Sequence, residues 1–265
     1  MSYLKYVNDE KLNVARGLVR DATFEHKFGA VPSLSQSQTG TLWDINDRIY
    51  PWNALASANN VQITTVNAAD NLKQITIIGL DSNYDIQSET LTANSSAAVT
   101  SSGTYLRVYD AYVVDGGDTN IANIDITNGG STTIARILAG FSRTKMAVYT
   151  VPAGYTGYLI QGTCTAQASA DGTGNMFVRY FGSQTFRVSH TFEVTGGSQY
   201  HYNFSVPLPI PEKTDIDVRI TTRSNNGRFT AAFDIILIKN DGTGLRVKHE
   251  SIMSYYGSIS TNGIP

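Results

Sequence analysis

Two carboxylates in a predicted strand are the strongest candidates for chemistry in this sequence. Asp215 and Asp217 are two residues apart, so a strand places both side chains on one face, as a glycosidase or a calcium site would require. Arg219 continues the same face. A row of opposite charges of this kind typically forms ion pairs. We therefore interpret these three residues as a solvated charge ladder and not as a catalytic pair.

The remaining reactive side chains do not form a convergent set. His190 and Glu193 are three residues apart, so a strand directs them to opposite faces and they cannot share a metal ion. Cys164 lies among small alternating residues and is interpreted as a buried, inert thiol. The Asp-Gly turns at Asp171 and Asp241 are typical of hairpins without calcium. The sequence therefore predicts no catalytic residue, no metal site and no cofactor.

Hairpin patterns dominate the chain after residue 60, and they are clearest in Thr214–Lys239. There Ile216, Val218 and Ile220 alternate with polar residues, which places one set of side chains in a core and the other in water. The turn Ser224–Gly227 ends in Asn-Gly, which supplies the positive φ that a tight hairpin requires. An antiparallel sheet is the structure that this pattern predicts.

The predicted fold class is all-β, with two antiparallel β-sandwich or jelly-roll-like units and an extended N-terminal arm. About five strands are predicted in the first unit and about eight in the second, at the regular spacing that sandwiches show. The Gly-rich stretch Asn128–Thr132 is interpreted as the linker between the units. The predicted divisions are an arm at 1–58, a first β domain at 59–130, a jelly-roll-like domain at 131–249 and a C-terminal docking tail at 250–265.

The predicted arm is rich in aromatic area but has no hairpin partner of its own, so its large side chains must be buried against another surface. That surface is either the first β unit or a neighbouring subunit. In the second case, a chain without residues 1–55 should still fold. The candidate interface residues are Trp43, Ile45, Ile49, Tyr50 and Trp52 in the arm, and Tyr255 and Tyr256 in the tail.

Composition limits the classes of partner. Charged residues make up 16% of the 265 residues, against about 25% in typical proteins. The net charge of −2 argues against a nucleic-acid binder, which must neutralise many phosphates. No apolar run reaches the ~20 residues that a membrane span requires, and the N-terminus lacks the apolar region of a signal peptide. Contacts with partners should therefore depend on hydrogen bonds and aromatic area.

Two segments carry a family resemblance. They are Ile75–Leu91 (ITIIGLDSNYDIQSETL) and Met146–Leu159 (MAVYTVPAGYTGYL). Both resemble a family of virion structural proteins from tailed bacteriophages, many of them marine or cyanobacterial, and the resemblance extends from about residue 28 to 240. It implies a capsid- or tail-associated structural protein, with no catalytic residues to carry over.

The leading hypothesis is a non-enzymatic virion protein that decorates or cements the phage head. It would be a homo-trimer that contacts the major capsid protein or other virion proteins, and it would be assembled in the host cytoplasm. The alternative is a tail, fibre or baseplate protein that recognises host glycans through Tyr-rich loops. A third class is a lectin or carbohydrate-active enzyme, because jelly rolls host many functions.

Overall fold

The computed structural model describes residues 9–114 and 119–240, and within them the protein is nearly all β, as predicted. One short helix, α1 (Glu10–Ala15), begins after Asp9, whose side chain accepts a hydrogen bond of 3.0 Å from the Leu12 N–H. Two 3₁₀ turns span Trp52–Leu55 and Ala68–Asp70. The strands are β1 (Ala22–Leu34), β2 (Thr39–Thr41), β3 (Asn59–Thr64), β4 (Gln74–Leu80), β5 (Ile86–Thr92), β6 (Val99–Tyr105), β7 (Arg107–Val113), β8 (Ile124–Asn128), β9 (Thr132–Ile137), β10 (Val148–Thr150), β11 (Tyr155–Ala166), β12 (Gly172–Arg179), β13 (Arg187–Val194), β14 (Gln199–Ile210), β15 (Asp215–Thr222) and β16 (Gly227–Lys239).

The first sandwich is built from β3 to β9. One sheet has the order β6-β3-β8-β9 and the other has the order β5-β4-β7. Alternation in β3 and β4 buries Val61, Ile63, Ile75 and Ile77 in a common core. This core also receives Met146 from the segment that follows the sandwich.

The second sandwich is built from β1, β2 and β10 to β16. One sheet has the order β1-β16-β11-β14, and the other has the order β10-β15-β12-β13, with β2 paired to β15. Residues with period-two spacing in β15 and β16 fill the core that the two sheets share, among them Ile220, Phe233, Ile235 and Leu237. Alternation therefore identified this core correctly.

The predicted hairpin between β15 and β16 is wrong, because these two strands lie in different sheets. The turn at 223–226 is an arch that carries the chain from one sheet to the other. Asn226 adopts the positive φ of 55° that the turn requires. Alternation shows that each strand has one buried face, but it does not show whether consecutive strands pair or face each other across the core.

The predicted linker is also wrong. Asn128 pairs with Thr132, and the strands on either side, β8 and β9, are neighbours in one sheet. Gly129 and Gly130 have φ values of 57° and 81°, as the first residues of a tight hairpin turn often do. The Gly-rich sequence therefore marks a turn inside the first sandwich.

Most of the predicted arm is an integral part of the second sandwich. β1 pairs with β16 from Ala22 opposite Ile238 to Val31 opposite Phe229, and β2 pairs with β15. Gly29 is required in β1, because a Cβ atom there would lie 2.0 Å from the Leu42 carbonyl oxygen. Gly and Pro residues in β1 hid this strand from propensity arguments. The first sandwich is therefore inserted between β2 and β10 of the second.

Candidate functional site

The arm residues that were predicted to reach a neighbour lie mostly in the protein's own core. Trp43, Ile45, Tyr50 and Trp52 are buried in the hydrophobic core of the first sandwich. Their rings contact one another edge-on, with centroid distances of 5.2 Å for Trp43–Tyr50 and 4.7 Å for Tyr50–Trp52. Of the five, only Ile49 is exposed, at 45%. The first β unit therefore buries these four side chains, whereas β1 and β2 of the predicted arm belong to the second sandwich.

Polar groups of the same segment connect the two sandwiches at a junction. The Tyr50 hydroxyl donates a hydrogen bond of 3.0 Å to the Val108 carbonyl of β7. The Trp52 indole donates one of 2.8 Å to Asp217 of β15. Lys27 of β1 donates to the Tyr109 carbonyl of β7. Segments of both sandwiches therefore meet through directed, buried hydrogen bonds.

Asp215 lies at the centre of this junction, and the prediction that it is solvated is wrong. It is only 3% exposed. Its carboxylate accepts hydrogen bonds from Arg107 Nε at 2.9 Å, from Arg179 Nη2 at 2.6 Å and from the Thr150 hydroxyl at 2.6 Å. Arg107 belongs to the first sandwich, whereas Arg179 and Asp215 belong to the second. The carboxylate thus pairs with one cation from each sandwich.

Asp217 is fully buried, contrary to the same prediction. It accepts hydrogen bonds of 2.8 Å from Arg219 Nε, from the Trp52 indole and from the Thr41 hydroxyl. Burial raises the pKa of Asp217, although Arg219 and the hydrogen bonds from Trp52 and Thr41 oppose the shift. The predicted row of Asp and Arg residues on one face exists, but the arm segment covers it.

Aromatic rings complete the junction network. The Arg107 guanidinium lies 5.3 Å from the Trp52 ring centroid, and that of Arg179 lies 4.7 Å from the Phe186 centroid. Arg107 and Asp215 are 108 residues apart in the chain, so no local pattern connects them. Because both carboxylates already accept several internal hydrogen bonds, we interpret the network as a rigid structural connection and not as a reaction centre.

The other reactive side chains are also separated, as predicted for His190 and Glu193. His190 Nε2 lies 2.5 Å from the Tyr200 hydroxyl, whereas Glu193 bonds Thr173 and Arg223. Burial raises the pKa of the Cys164 thiol to about 12. Within residues 9–114 and 119–240, no group of three or more His, Cys, Asp or Glu residues is arranged to hold a metal ion.

A candidate assembly surface lies where the second sandwich is open. We call the outer sides of β13 and β14 the open edge, because each strand ends its sheet. β14 is 12 residues long and contains no charged residue; one face is exposed, and the other is mostly half-buried against the core. Tyr202 is 41% exposed and Val206 is 78% exposed. Edges are usually protected by charge, by proline or by a covering element, and in β14 the protection is limited to Pro207 and Pro209 near its end.

Aromatic side chains hold the two strands of the open edge together. The His190 and Tyr202 rings lie 4.9 Å apart, and the Phe192 and Tyr200 rings stack at 5.2 Å. Phe204 contacts Tyr202 edge-on at 4.7 Å. Because these rings order residues 200–204, the backbone of that part of the strand is positioned to pair with an added strand, whereas Pro207 and Pro209 have no N–H to donate. The two prolines are a local sign of an edge strand, because proline within sheets is found mainly at edges.

Some expectations fall outside the described structure. The tail residues Tyr255 and Tyr256, and the docking tail at 250–265, lie beyond residue 240. Within the described part of the chain, no helix is long and apolar enough to cross a membrane.

Comparisons with known proteins return distant similarities only. No family model and no curated protein matches the sequence. Among solved structures, the naturally empty top component of cowpea mosaic virus is 9% identical, with a TM-score of 0.22, over 67% of this chain and 80% of that one. A chain in the structure of infectious bursal disease virus, Gx strain, is 9% identical, with a TM-score of 0.22, over 84% of this chain and 77% of that one. A chain of the VP2 subviral particle of infectious bursal disease virus is 11% identical, with a TM-score of 0.22, over 84% of this chain and 73% of that one. At these TM-scores the similarity carries no conclusion about function.

Proposed function

We propose that the protein is a non-enzymatic virion structural protein of a tailed bacteriophage, and that it decorates or cements the outside of the head. The observation that carries this proposal is the open edge, where an ordered strand without charged residues has no partner on its outer side among the described residues. The resemblance of Ile75–Leu91 and Met146–Leu159 to phage virion proteins supports it. A protein whose carboxylates are internally paired and whose sheet edge is free is better suited to assembly than to catalysis.

The partner at the open edge is a second copy of this chain. β14 carries no charged residue, and β13 carries one of each sign, Arg187 and Glu193, so copies can approach without net like-charge repulsion, and the aromatic side chains of β14 provide contact area. If β14 of each copy joins β13 of the next, the contact is heterologous and three copies can close a ring. The junction network keeps the two sandwiches in one orientation, so that every copy presents the same edge.

Contacts with the major capsid protein or other virion proteins then use surfaces outside the trimer. The buried arm residues are not available for them, which leaves Ile49 as the exposed member of the original set. Tyr255 and Tyr256 stay predicted interface residues. The site of action is the virion, after assembly in the host cytoplasm.

A matched pair of substitutions tests the assembly surface. Val206→Lys places a charge on the open edge, whereas Val66→Lys places one on an equally exposed position of the first sandwich, since Val206 is 78% exposed and Val66 is 88% exposed. We expect Val206→Lys to yield monomers in sedimentation velocity and to be missing from particles, because the charge must be desolvated. Val66→Lys should assemble like the wild type. A trimeric Val206→Lys variant would overturn the proposal.

The alternative, a tail, fibre or baseplate protein that binds host glycans, is favoured by one observation. A polar cleft lies beside Arg48, away from the open edge. Images of particles that carry a labelled subunit distinguish the two locations, because density repeated over the head supports the first and density confined to the tail supports the second.

A further inference from the structure

A cleft of about 480 Å³ opens between the segment that follows β2 and the end of β9. Its volume is in the range of small-molecule sites. None of the open-edge residues lines it. We call it the polar cleft and define it by six of the side chains that line it: Asp44, Asn46, Arg48, Asn123, Thr133 and Arg136.

Hydrogen-bond donors dominate the polar cleft. Asn46 uses its Oδ1 atom to accept from the Ser33 N–H, and Asn123 uses its Oδ1 atom to accept from the Ala139 N–H. The amide Nδ2 groups are the parts of these side chains left to donate. Within the described residues, the Arg48 guanidinium has no hydrogen-bond or ion-pair partner. The cleft therefore presents more donors than acceptors.

The charges of the polar cleft leave Arg48 uncompensated. Arg136 is paired with Asp125 through hydrogen bonds of 2.5 and 2.9 Å. Asp44 is paired with Lys145, with 3.4 Å between Oδ1 and Nζ. Donors together with one uncompensated guanidinium favour an anionic ligand that is rich in oxygen acceptors, because Arg forms bidentate bonds with carboxylates.

The wall of the polar cleft also contains a buried hydrogen-bond acceptor, the carboxylate of Asp44. Asp44 is 3% exposed, and its Oδ2 atom accepts from the Lys145 N–H at 2.7 Å. Its Oδ1 atom has the 3.4 Å ion pair with Lys145 but accepts no hydrogen bond within the described structure. Buried carboxylate oxygens normally have such a partner. A ligand that carries hydroxyl groups as well as an anion could supply one.

We propose that the polar cleft binds an acidic saccharide, with its carboxylate at Arg48 and its hydroxyl and ring oxygens at Asn46, Asn123 and Thr133. A second cavity of about 500 Å³ shares Pro32 and Leu138 with the cleft, which provides room for a further sugar unit. Phe141 lines that cavity and is 57% exposed. Lys145 Nζ lies over one face of its ring, 3.4 Å from the centroid, which leaves the opposite apolar face for the C–H side of a sugar ring.

Binding of a trisaccharide of galacturonic acid to the full chain tests this site. Isothermal titration with the acid, with its neutral methyl ester and with a triglutamate peptide separates a saccharide ligand from a generic anion. Arg48→Ala and Asn123→Ala are the test variants. Arg20→Ala is the matched control, since the Arg20 side chain is 94% exposed and distant in sequence from the cleft residues. Thermal unfolding verifies that every variant is folded.

We expect the acid to bind, the ester to bind at least tenfold more weakly, and Arg48→Ala to weaken binding of the acid at least tenfold. Asn123→Ala should weaken binding of both saccharides, and Arg20→Ala should change neither. Triglutamate binding as tight as that of the acid would overturn the saccharide assignment in favour of an acidic peptide. Failure of the acid to bind, or equal affinity in Arg48→Ala, would reject the site. Neither result depends on the open edge, so the proposed assembly function is tested separately.

Discussion

Charged side chains fill the junction between the two sandwiches, whereas aromatic side chains line the open edge of the second. At the junction, Asp215 and Asp217 are buried, and each is paired with Arg side chains. At the open edge, Tyr202 and Val206 are exposed although β14 has no charged residue. Charged side chains are usually exposed and large apolar side chains are usually buried, so both regions show the reverse of the usual distribution.

This contrast separates two physical roles of polar and apolar side chains in the molecule. Buried ion pairs contribute little net stability, but they need one geometry, and so they fix how the sandwiches are oriented. An exposed edge strand costs solubility, but it keeps its backbone donors and acceptors free for a partner. We infer that the junction defines the shape of the subunit and that the open edge is left for contacts between subunits.

Removal of residues 1–55 should have the largest effect, because it deletes β1 and the aromatic side chains that cover the junction. The truncated chain is expected to fold only if the arm packs on a neighbouring subunit, and the pairing of β1 with β16 contradicts that arrangement. We now expect an insoluble product, or one without a cooperative thermal transition by circular dichroism. A soluble, cooperatively folding fragment would show that the arm is dispensable.

Asp215→Ala should be the most damaging single change at the junction. It leaves Arg107 and Arg179 without their carboxylate, and breaking a buried pair in this way costs about 3–5 kcal/mol. The free energy of unfolding in urea measures the loss. Glu193→Gln is the control. Glu193 and its partner Arg223 are both exposed, and an ion pair between exposed side chains contributes less than about 1 kcal/mol. Equal losses in the two variants would contradict a buried network.

Lys27 should make the stability of the junction depend on alkaline pH. Burial lowers its pKa to about 8, against an ordinary value of 10.5, although Asp110 and Glu25 oppose the shift. Between these values the unfolded chain binds more protons than the folded protein, so stability should rise with pH. From pH 8 to 9.5 the gain relative to Lys27→Met should be about 1.5 kcal/mol, because Lys27 of the folded protein is half deprotonated at pH 8 and a full pKa unit corresponds to about 1.36 kcal/mol. If the free energy of unfolding changes with pH in the same way in the wild type and in Lys27→Met, the prediction is wrong.

Removal of one tyrosine hydroxyl in each region compares the stability contributions of the junction and the open edge. Tyr50→Phe leaves the buried Val108 carbonyl without its donor, so we expect a loss of about 1–3 kcal/mol. Tyr200→Phe removes the bond to His190 at the half-exposed open edge, where water can replace it, and should cost less than about 1 kcal/mol. Urea denaturation of both variants measures the difference. A larger loss for Tyr200→Phe would reverse the assignment of the two regions.

The fold class and many strands were predictable from alternation alone. Gln74–Leu80 was predicted with the bounds that the structure has, because its apolar residues and flanking turns are local signals. β6 (Val99–Tyr105) was missed, since its Ser and Thr residues give no apolar alternation. β1 was missed because Gly29 and Pro32 interrupt the β pattern.

The candidate sites were less predictable, because they depend on what covers each face. Asp217 was correctly placed beside Arg219 on one face of a strand. Its hydrogen-bond partner Trp52 is 165 residues away in the chain, so no local pattern indicated that contact. Pro207 and Pro209 are consistent with an edge strand, but the strand order that places β13 and β14 at the ends of facing sheets is not encoded locally. The polar cleft likewise combines Arg48 with Arg136 from distant segments.

The pairing of β1 with β16 has a consequence for the timing of synthesis. Ala22 lies opposite Ile238, so the sheet that carries β14 closes only when nearly the whole chain has left the ribosome. The inserted sandwich, β3 to β9, has its own sheets and can form earlier, at translation speeds of about 5–20 residues per second. Partly made chains therefore lack β16, the strand that joins β1 to β11 and β14 in this sheet, and they hold β1 without its partner until synthesis is nearly finished.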